Sequence, residues 1–377
     1  MKKAICLLLT FCVVFSFTGC KRKDPSTSTT GSTTGSENNQ QIPNTEQTNT
    51  DTSMVAVSVP TVTEESLADD GTVQFRYTYQ DMFLFLNKPE VADKVIVDFF
   101  NRVDSTRQAA NDVENMAKSA YNRTSNWVPY LYHVTYSPTR IDHDVLSLFG
   151  NNVVFSGTPH PDRTCVSASY DLKTGDVLTL ASVMSMNAST DDFCNLVLDG
   201  LTEMAEGDYL YENYKQTVQQ RFTVDASTDE AWYFTQTGLC FYFAPYEIAP
   251  YSSGVISVEI PYEKLANLLH ADYLPKQRQS TQGGIALVPF EDVDMNAMGH
   301  MAEIVANKNG TMYMAQASGT VQDIRIVQSN EASNYTIFAA YALFPGDGIM
   351  VQADDTQLQR MKLTYKSGNE TVNMPLK

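Results

Sequence analysis

The stretch WYFTQTGLCFYFAPYEIAPYSSGVISVEIPYEKL, residues 232–265, decides the fold. Two aromatic-rich runs flank residues 235–238, a segment typical of a hairpin turn. Proline and glycine interrupt the following crossover, residues 244–254, so it can continue neither as a helix nor as a central strand. Residues 255–260 have the composition of a third strand, and Pro261 is placed to open a short helix.

The crossover carries Tyr246, Glu247 and Tyr251, the side chains of this stretch with the most chemistry. They belong either to a packed loop that holds two layers together or to a binding surface. Buried tyrosines commonly fix a loop through one hydrogen bond each, which favours the packed loop when the stretch is considered alone.

Residues 243–262 resemble part of the extracytoplasmic domain of the lysozyme-sensing anti-sigma factors of the RsiV type. The shared pattern is an aromatic strand, Pro-Tyr-Glu-Ile-Ala-Pro-Tyr, small residues with a glycine, and a strand that ends in Ile-Pro-Tyr. The same module precedes some peptidoglycan deacetylases and occurs in many surface lipoproteins of unknown function. The resemblance implies an RsiV-like α+β domain over residues 55–274 and lysozyme-like muramidases as a partner class.

A second part of the resemblance lies upstream, where residues 171–175 read Asp-Leu-Lys-Thr-Gly as in the family. Residues 155–160 stand where the family has a Gly-Gly-Ala-His-type loop, and Pro159 changes the backbone there. We therefore expect partner contacts from the two loops 156–160 and 246–251. The candidate residues are Gly157, His160, Tyr246, Glu247 and Tyr251.

The beginning of the chain has the pattern of an exported lipoprotein. Lys2 and Lys3 precede the short apolar run 4–17, and Gly19 and Cys20 follow. The run is too short to span a bilayer, so it predicts a signal peptide over residues 1–19 and a lipid anchor on Cys20; ordinary cleavage and secretion is the alternative. Residues 20–54 are rich in Ser, Thr and Asn and predict a disordered tether about 30 Å long. These features predict a protein outside the cytoplasm, anchored to the cell membrane.

The remaining sequence predicts two folded domains. Residues 73–80 alternate as a strand, and Pro89 opens a long helical segment that reaches about residue 121. With a medium helix that starts at Thr190, these elements predict an α+β head with an antiparallel sheet. A polar linker at 275–284 precedes short strands over 285–377, which indicate a small all-β, sandwich-like domain.

Composition restricts the partners. The chain has 26 basic and 44 acidic residues and a net charge of −18, which argues against nucleic acid and favours a basic protein ligand. Once the signal peptide and the anchor are set aside, Cys165, Cys194 and Cys240 remain, enough for one disulfide or none. We predict no cofactor.

The strongest candidate for catalysis is Asp142-His143-Asp144, joined by His160 around a metal ion. A polar turn before a strand explains the triplet more simply, so we predict neither catalytic nor metal-binding residues. The leading hypothesis is a membrane-anchored, non-enzymatic binding or sensing module. The alternatives are a metal-dependent hydrolase, or deacetylase-associated enzyme, that acts on the cell wall, and a structural surface lipoprotein.

Overall fold

The computed structural model describes residues 53–121, 126–204, 209–223, 231–276, 282–307, 309–329 and 334–377. The chain divides into two compact units, Met1–Thr45 and Glu46–Lys377, and only the second contains described residues. The predicted signal peptide, the lipidation site Cys20 and all of the tether before Ser53 lie outside the described residues, as does the middle of the linker, residues 277–281.

The described part of the chain consists of strands, α-helices and short 3₁₀ turns. The strands are β1 Ala56–Ser58, β2 Thr61–Leu67, β3 Val73–Gln80, β4 Phe83–Phe85, β5 Tyr130–Ile141, β6 Val145–Phe155, β7 Asp162–Asp171, β8 Trp232–Phe234, β9 Gly238–Phe243, β10 Ile256–Pro261, β11 Ile285–Pro289, β12 Met301–Val305, β13 Thr311–Ala317, β14 Val321–Ser329, β15 Asn334–Leu343, β16 Gly348–Ala353, β17 Met361–Ser367 and β18 Glu370–Pro375. The helices are α1 Pro89–Ser105, α2 Arg107–Tyr121, α3 Leu180–Val183, α4 Thr190–Met204, α5 Tyr214–Thr223, α6 Tyr262–Leu265 and α7 Asp355–Gln359.

The first core lies between a five-stranded sheet and two helices. The sheet has the order β2-β3-β5-β6-β7, and only the β3–β5 pair is parallel. Helix α1 buries Val91, Val95, Phe99 and Val103, at the four-residue spacing that one helix face requires, and the last three belong to this core. The predicted long helix is confirmed as a helical segment, but it bends at Thr106, whose side chain bonds back to the carbonyl oxygen of Val103 at 2.7 Å.

The second core forms around the aromatic stretch. Strands β8, β9 and β10 pair in the order β10-β9-β8, all antiparallel, so the predicted hairpin and third strand are present. Every residue of β9 is buried. Phe241 packs with Phe193 of α4 and Phe222 of α5, which places both helices against this small sheet.

The third core lies between two further sheets. Their orders are β18-β17-β14-β15-β1-β4 and β11-β13-β16-β12. Strand β1 is an interior strand of the first of these sheets, paired with β15 on one side and β4 on the other. Its alternate residues face different cores: Ala56 packs into the third core, and Val57 packs into the first. The protein is therefore an α+β structure followed by a β-rich C-terminal region, as the sequence predicts.

Among the described residues, no helix has both the length and the apolar character needed to cross a bilayer. Cys165, Cys194 and Cys240 are all free thiols.

Candidate functional site

The two predicted contact loops lie side by side. Residues 156–161 connect β6 to β7, and residues 244–255 connect β9 to β10. The imidazole of His160 stacks on the ring of Tyr251, with centroids 4.3 Å apart and planes inclined by 27°. The Tyr251 hydroxyl also donates a hydrogen bond of 2.6 Å to the carbonyl oxygen of Pro161. These two contacts join loops that are about 90 residues apart in sequence.

Gly157 gives the first loop its shape. Its φ is +83°, in the left-handed region that residues with a Cβ rarely adopt. A Cβ at this position would overlap the hydroxyl end of Tyr130. Thr158 then donates a hydrogen bond of 2.8 Å to the carbonyl oxygen of His160, which closes the turn. Gly157 therefore positions His160 and does not itself offer a contact group.

Tyr246, like His160, is an exposed member of the site. Its φ is +73°, although it is not glycine, and its side chain is 59% exposed. Its ring centroid lies 5.5 Å from that of Tyr251, and its backbone N–H donates to the carbonyl oxygen of Ala249 at 3.1 Å. A left-handed backbone costs an L-residue about 1–2 kcal/mol. Strain held in place beneath an exposed aromatic ring is a feature that points to function.

Glu247 points away from this surface and braces the crossover from within. It accepts hydrogen bonds from the backbone N–H of Ala244 at 2.8 Å and from the guanidinium of Arg221 at 3.0 Å. Arg221 also donates to the carbonyl oxygen of Tyr242 at 2.8 Å and lies over the Phe243 ring. Sequence reasoning missed Arg221, because its charge pairs across a loop and a strand with no local signal.

The structure thus separates the five predicted site residues into two groups. His160, Tyr246 and Tyr251 form a continuous aromatic surface, which we call the tyrosine–histidine patch. Gly157 and Glu247 hold the two loops that carry it. The crossover is therefore both a packed loop and an exposed surface.

The Asp142-His143-Asp144 triplet is a buried turn before β6. Arg140, whose side chain is only 1% exposed, forms a 2.7 Å ion pair with Asp142. Asp142 in turn accepts hydrogen bonds from the backbone N–H groups of Asp144 and Val145, at 2.9 and 2.8 Å. Arg140 also donates to the Tyr262 hydroxyl at 2.8 Å, so the turn is tied to the aromatic sheet.

Asp144 completes this ionic turn with two lysines. Its carboxylate lies 2.6 Å from Lys276 and 3.1 Å from Lys173. Burial acts to raise the pKa of Asp144, but hydrogen bonds from Lys276 and Lys173 outweigh it, and the pKa is lowered. The carboxylate is therefore paired in place, which is what a structural role requires.

The four residues of the alternative metal site do not come together. The triplet lies at one end of β6 and His160 lies just past the other, and eleven strand residues span about 35 Å. The His143 ring packs against Tyr341, with centroids 4.6 Å apart. Within the part of the chain that the structure describes, no group of three or more His, Cys, Asp or Glu side chains is arranged to hold a metal ion.

Sequence reasoning also missed Arg140, although a signal was present. On β5 the even-numbered residues from Tyr132 onwards are buried, and Arg140 continues that series. A charged residue in the buried series of a strand indicates a buried ion pair.

A model of one protein family matches residues 194–263, and its description is "Protein of unknown function (DUF3298)". The match begins in α4, includes the whole crossover and ends in α6. Tyr246, Glu247 and Tyr251 lie inside it, whereas Gly157 and His160 lie outside. The comparison with curated proteins gives no match.

Two solved structures of DUF3298 proteins are similar to this chain. The one from Bacteroides fragilis shares 16% identity, with a TM-score of 0.42, over 59% of this chain and 96% of its own. The one from Pseudomonas aeruginosa shares 15% identity, with a TM-score of 0.41, over 58% of this chain and 98% of its own.

Proposed function

We propose that the protein is a non-enzymatic binding module, tethered outside the cell by a lipid on Cys20, that recognises a protein ligand through the tyrosine–histidine patch. The observation that carries the proposal is the stack of His160 on Tyr251, which joins two loops that are distant in sequence. Tyr246 projects beside this stack from a strained backbone.

The chemistry of the patch suits a protein partner. Tyrosine combines a large apolar ring with a hydroxyl, and it is enriched where interfaces concentrate their binding energy. The hydrogen bond from Tyr251 to Pro161 and the brace from Arg221 to Glu247 fix the loops before any ligand arrives. A preorganised surface loses less conformational entropy on binding.

Two features support a basic muramidase as the partner class. The resemblance of residues 243–262 to the RsiV-type ectodomain implies lysozyme-like proteins. The net charge of −18 favours encounter with a basic protein. We infer that lysozyme is the first partner to test, and that the two loops supply the contacts.

The test is calorimetry of a soluble fragment with lysozyme at low and at moderate salt. The fragment begins at Glu46, because Met54 is buried in the third core and must be kept. We expect saturable binding that persists at moderate salt and weakens at least tenfold in Tyr246→Ala. The control is Met186→Ala, a fully exposed side chain outside the patch, which leaves binding unchanged. Binding that vanishes with salt would mean only charge attraction, and equal binding by Tyr246→Ala would remove the patch from the proposal.

A further inference from the structure

A cleft of about 460 Å³, lined by both polar and apolar residues, runs beside β7. Its lining includes the four consecutive β7 residues 164–167. Arg102, Tyr136, Tyr242 and Glu247 also line it. Successive side chains of a strand point to opposite faces of the sheet, so a cleft that touches four in a row passes around the outer edge of the strand.

The backbone of β7 is open at this edge next to Cys165. Among the described residues, β7 is the last strand of its sheet and β6 is the strand that it pairs with, while Tyr170 also forms an isolated bridge with Val177. Farther along β7, the same edge already forms backbone hydrogen bonds. The Asp171 N–H donates to the backbone carbonyl oxygen of Asp176 at 2.9 Å, and the carbonyl oxygen of Ser169 accepts from the Leu178 N–H at 2.7 Å. Along an antiparallel strand, the backbone N–H and C=O groups of every second residue point to the same edge. Cys165 lies an even number of residues before Ser169 and Asp171, so its N–H and C=O also point to the outer edge of β7. In the described part of the chain, no backbone hydrogen bond reaches this side of Cys165.

We propose that this cleft binds an extended peptide segment of a partner protein, which adds to β7 as the next strand of the sheet. In this mode main-chain hydrogen bonds supply the affinity and the cleft walls select the side chains. The lining combines small residues such as Ala231 and Ala244 with the larger Tyr136 and Tyr242, and the cleft volume is in the usual range for ligand sites. The segment that fits is extended and free of proline, because each residue that pairs with β7 must offer its backbone N–H.

The thiol of Cys165 lines this cleft, and we assign it no catalytic or covalent role. Burial, assisted by the charge of Glu247, raises the pKa of Cys165 to about 11. The thiol is therefore neutral at physiological pH and is a poor nucleophile. The proposal adds a second site to the module and does not depend on the tyrosine–histidine patch.

The first test is amide hydrogen exchange of the fragment from Glu46, with an octapeptide of alternating threonine and alanine as the probe. With the peptide at ten times its dissociation constant, exchange of the Cys165 amide is expected to slow about tenfold. The same peptide with a central proline cannot pair as a strand and is the matched control. No protection of Cys165 at saturating peptide, or equal protection by the proline peptide, would overturn the proposal.

The second test compares Cys165→Pro with Cys165→Ala. Both remove the thiol, but only proline removes the N–H that the peptide would use, and the outward position leaves the pairing with β6 intact. We expect Cys165→Ala to bind like the parent and Cys165→Pro to bind about tenfold more weakly. Thermal unfolding verifies that each variant is folded. If Cys165→Pro fails to fold, the exchange experiment on the parent protein decides.

Three other outcomes count against the proposal. Equal peptide binding by the two Cys165 variants would exclude strand addition. Protection of β7 by an N-acetylglucosamine tetramer and not by the peptide would assign the cleft to a glycan. Protection that follows protein concentration without peptide would assign the edge to a second copy of the chain. The lysozyme proposal is tested separately, because Cys165→Pro is expected to leave lysozyme binding unchanged and Tyr246→Ala is expected to leave peptide binding unchanged.

Discussion

The two ends of β6 are built from different chemistry. At its start, Arg140, Asp142 and Asp144 form a buried ionic turn that holds the large sheet against the aromatic sheet. At its end, His160 and Tyr251 join two surface loops by stacking, and Tyr246 remains exposed. Buried charges that are already paired have fixed positions in the fold and are costly to separate, whereas exposed aromatic rings on a fixed backbone offer a surface to a partner. Under the proposed function, the most polar cluster of the chain has a structural role and the binding site lies elsewhere.

The largest expected effect is the loss of the buried guanidinium. Arg140→Ala leaves Asp142 buried without its ion pair and removes the bond to Tyr262, so we expect the free energy of unfolding to fall by about 3–5 kcal/mol. Chemical denaturation measures this change. Arg163→Ala, at an exposed position of β7, is the control, and its effect should stay within about 0.5 kcal/mol. A loss below about 1 kcal/mol in Arg140→Ala would mean that the ionic turn does not brace the fold.

Gly157→Ala tests the other end of β6. The substitution places an alanine in a left-handed backbone conformation and makes its Cβ overlap the Tyr130 hydroxyl. We therefore expect the free energy of unfolding to fall by about 2–3 kcal/mol and lysozyme binding to weaken. Gly71→Ala is the matched control, because its φ is +85° but open space surrounds it. The free energy of unfolding of Gly71→Ala should fall by only about 1 kcal/mol, and its lysozyme binding should be unchanged. Equal losses in the two variants would show that the contact with Tyr130 does not matter.

Tyr246→Gly should separate stability from binding. Glycine adopts the φ of +73° without strain, so stability should rise by up to about 1 kcal/mol while lysozyme binding falls at least tenfold. Tyr246→Phe keeps both the ring and the strained backbone and should resemble the parent in both measurements. Denaturant unfolding measures the free energy of unfolding, and calorimetry on the same samples measures the affinity for lysozyme. Unchanged binding in Tyr246→Gly would contradict a contact role for this ring.

The smallest expected effect is on the pH dependence of the free energy of unfolding. The pKa of Asp144 is lowered in the fold, so its pairing stabilises the protein above the ordinary aspartate pKa of about 4 and is lost as the pH falls through the lowered value. Lys276→Met should therefore lower the free energy of unfolding by less than about 1 kcal/mol at pH 7, because Lys276 is partly exposed, and by progressively less as the pH falls below about 4. Lys264→Met, at an exposed position of α6, serves as the control. A difference that grows towards acid pH would have the wrong sign for this pairing.

Local patterns predicted much of the fold and both loops of the patch. The stripe of Val91, Val95, Phe99 and Val103 and the aromatic hairpin depend on residues close in sequence, and both are present. The stretch Gly150-Asn151-Asn152, in contrast, suggests a turn between two strands, yet β6 continues through it. A Cβ at Gly150 would overlap the carbonyl oxygen of Thr135, so this glycine allows a close approach of two strands.

The sequence could not reveal the contacts between distant residues. Nothing local indicates that Ala56 pairs with Ala340, or that Arg221 bonds to Glu247. The stack of His160 on Tyr251 has the same character: each loop could be predicted separately, but their meeting depends on the path of two sheets. Pairings of this kind are set by the whole fold and leave no periodic pattern in the chain.

The interior position of β1 has a mechanical consequence. A pull applied at residue 53 enters the protein through a strand held on both sides by β15 and β4, and it is shared by two rows of backbone hydrogen bonds. The load therefore passes into the six-stranded sheet before it can reach the loops that carry Tyr246 and His160. For the proposed lipid-anchored protein, the six-stranded sheet would therefore carry tension from the membrane while the stacked loops keep their geometry.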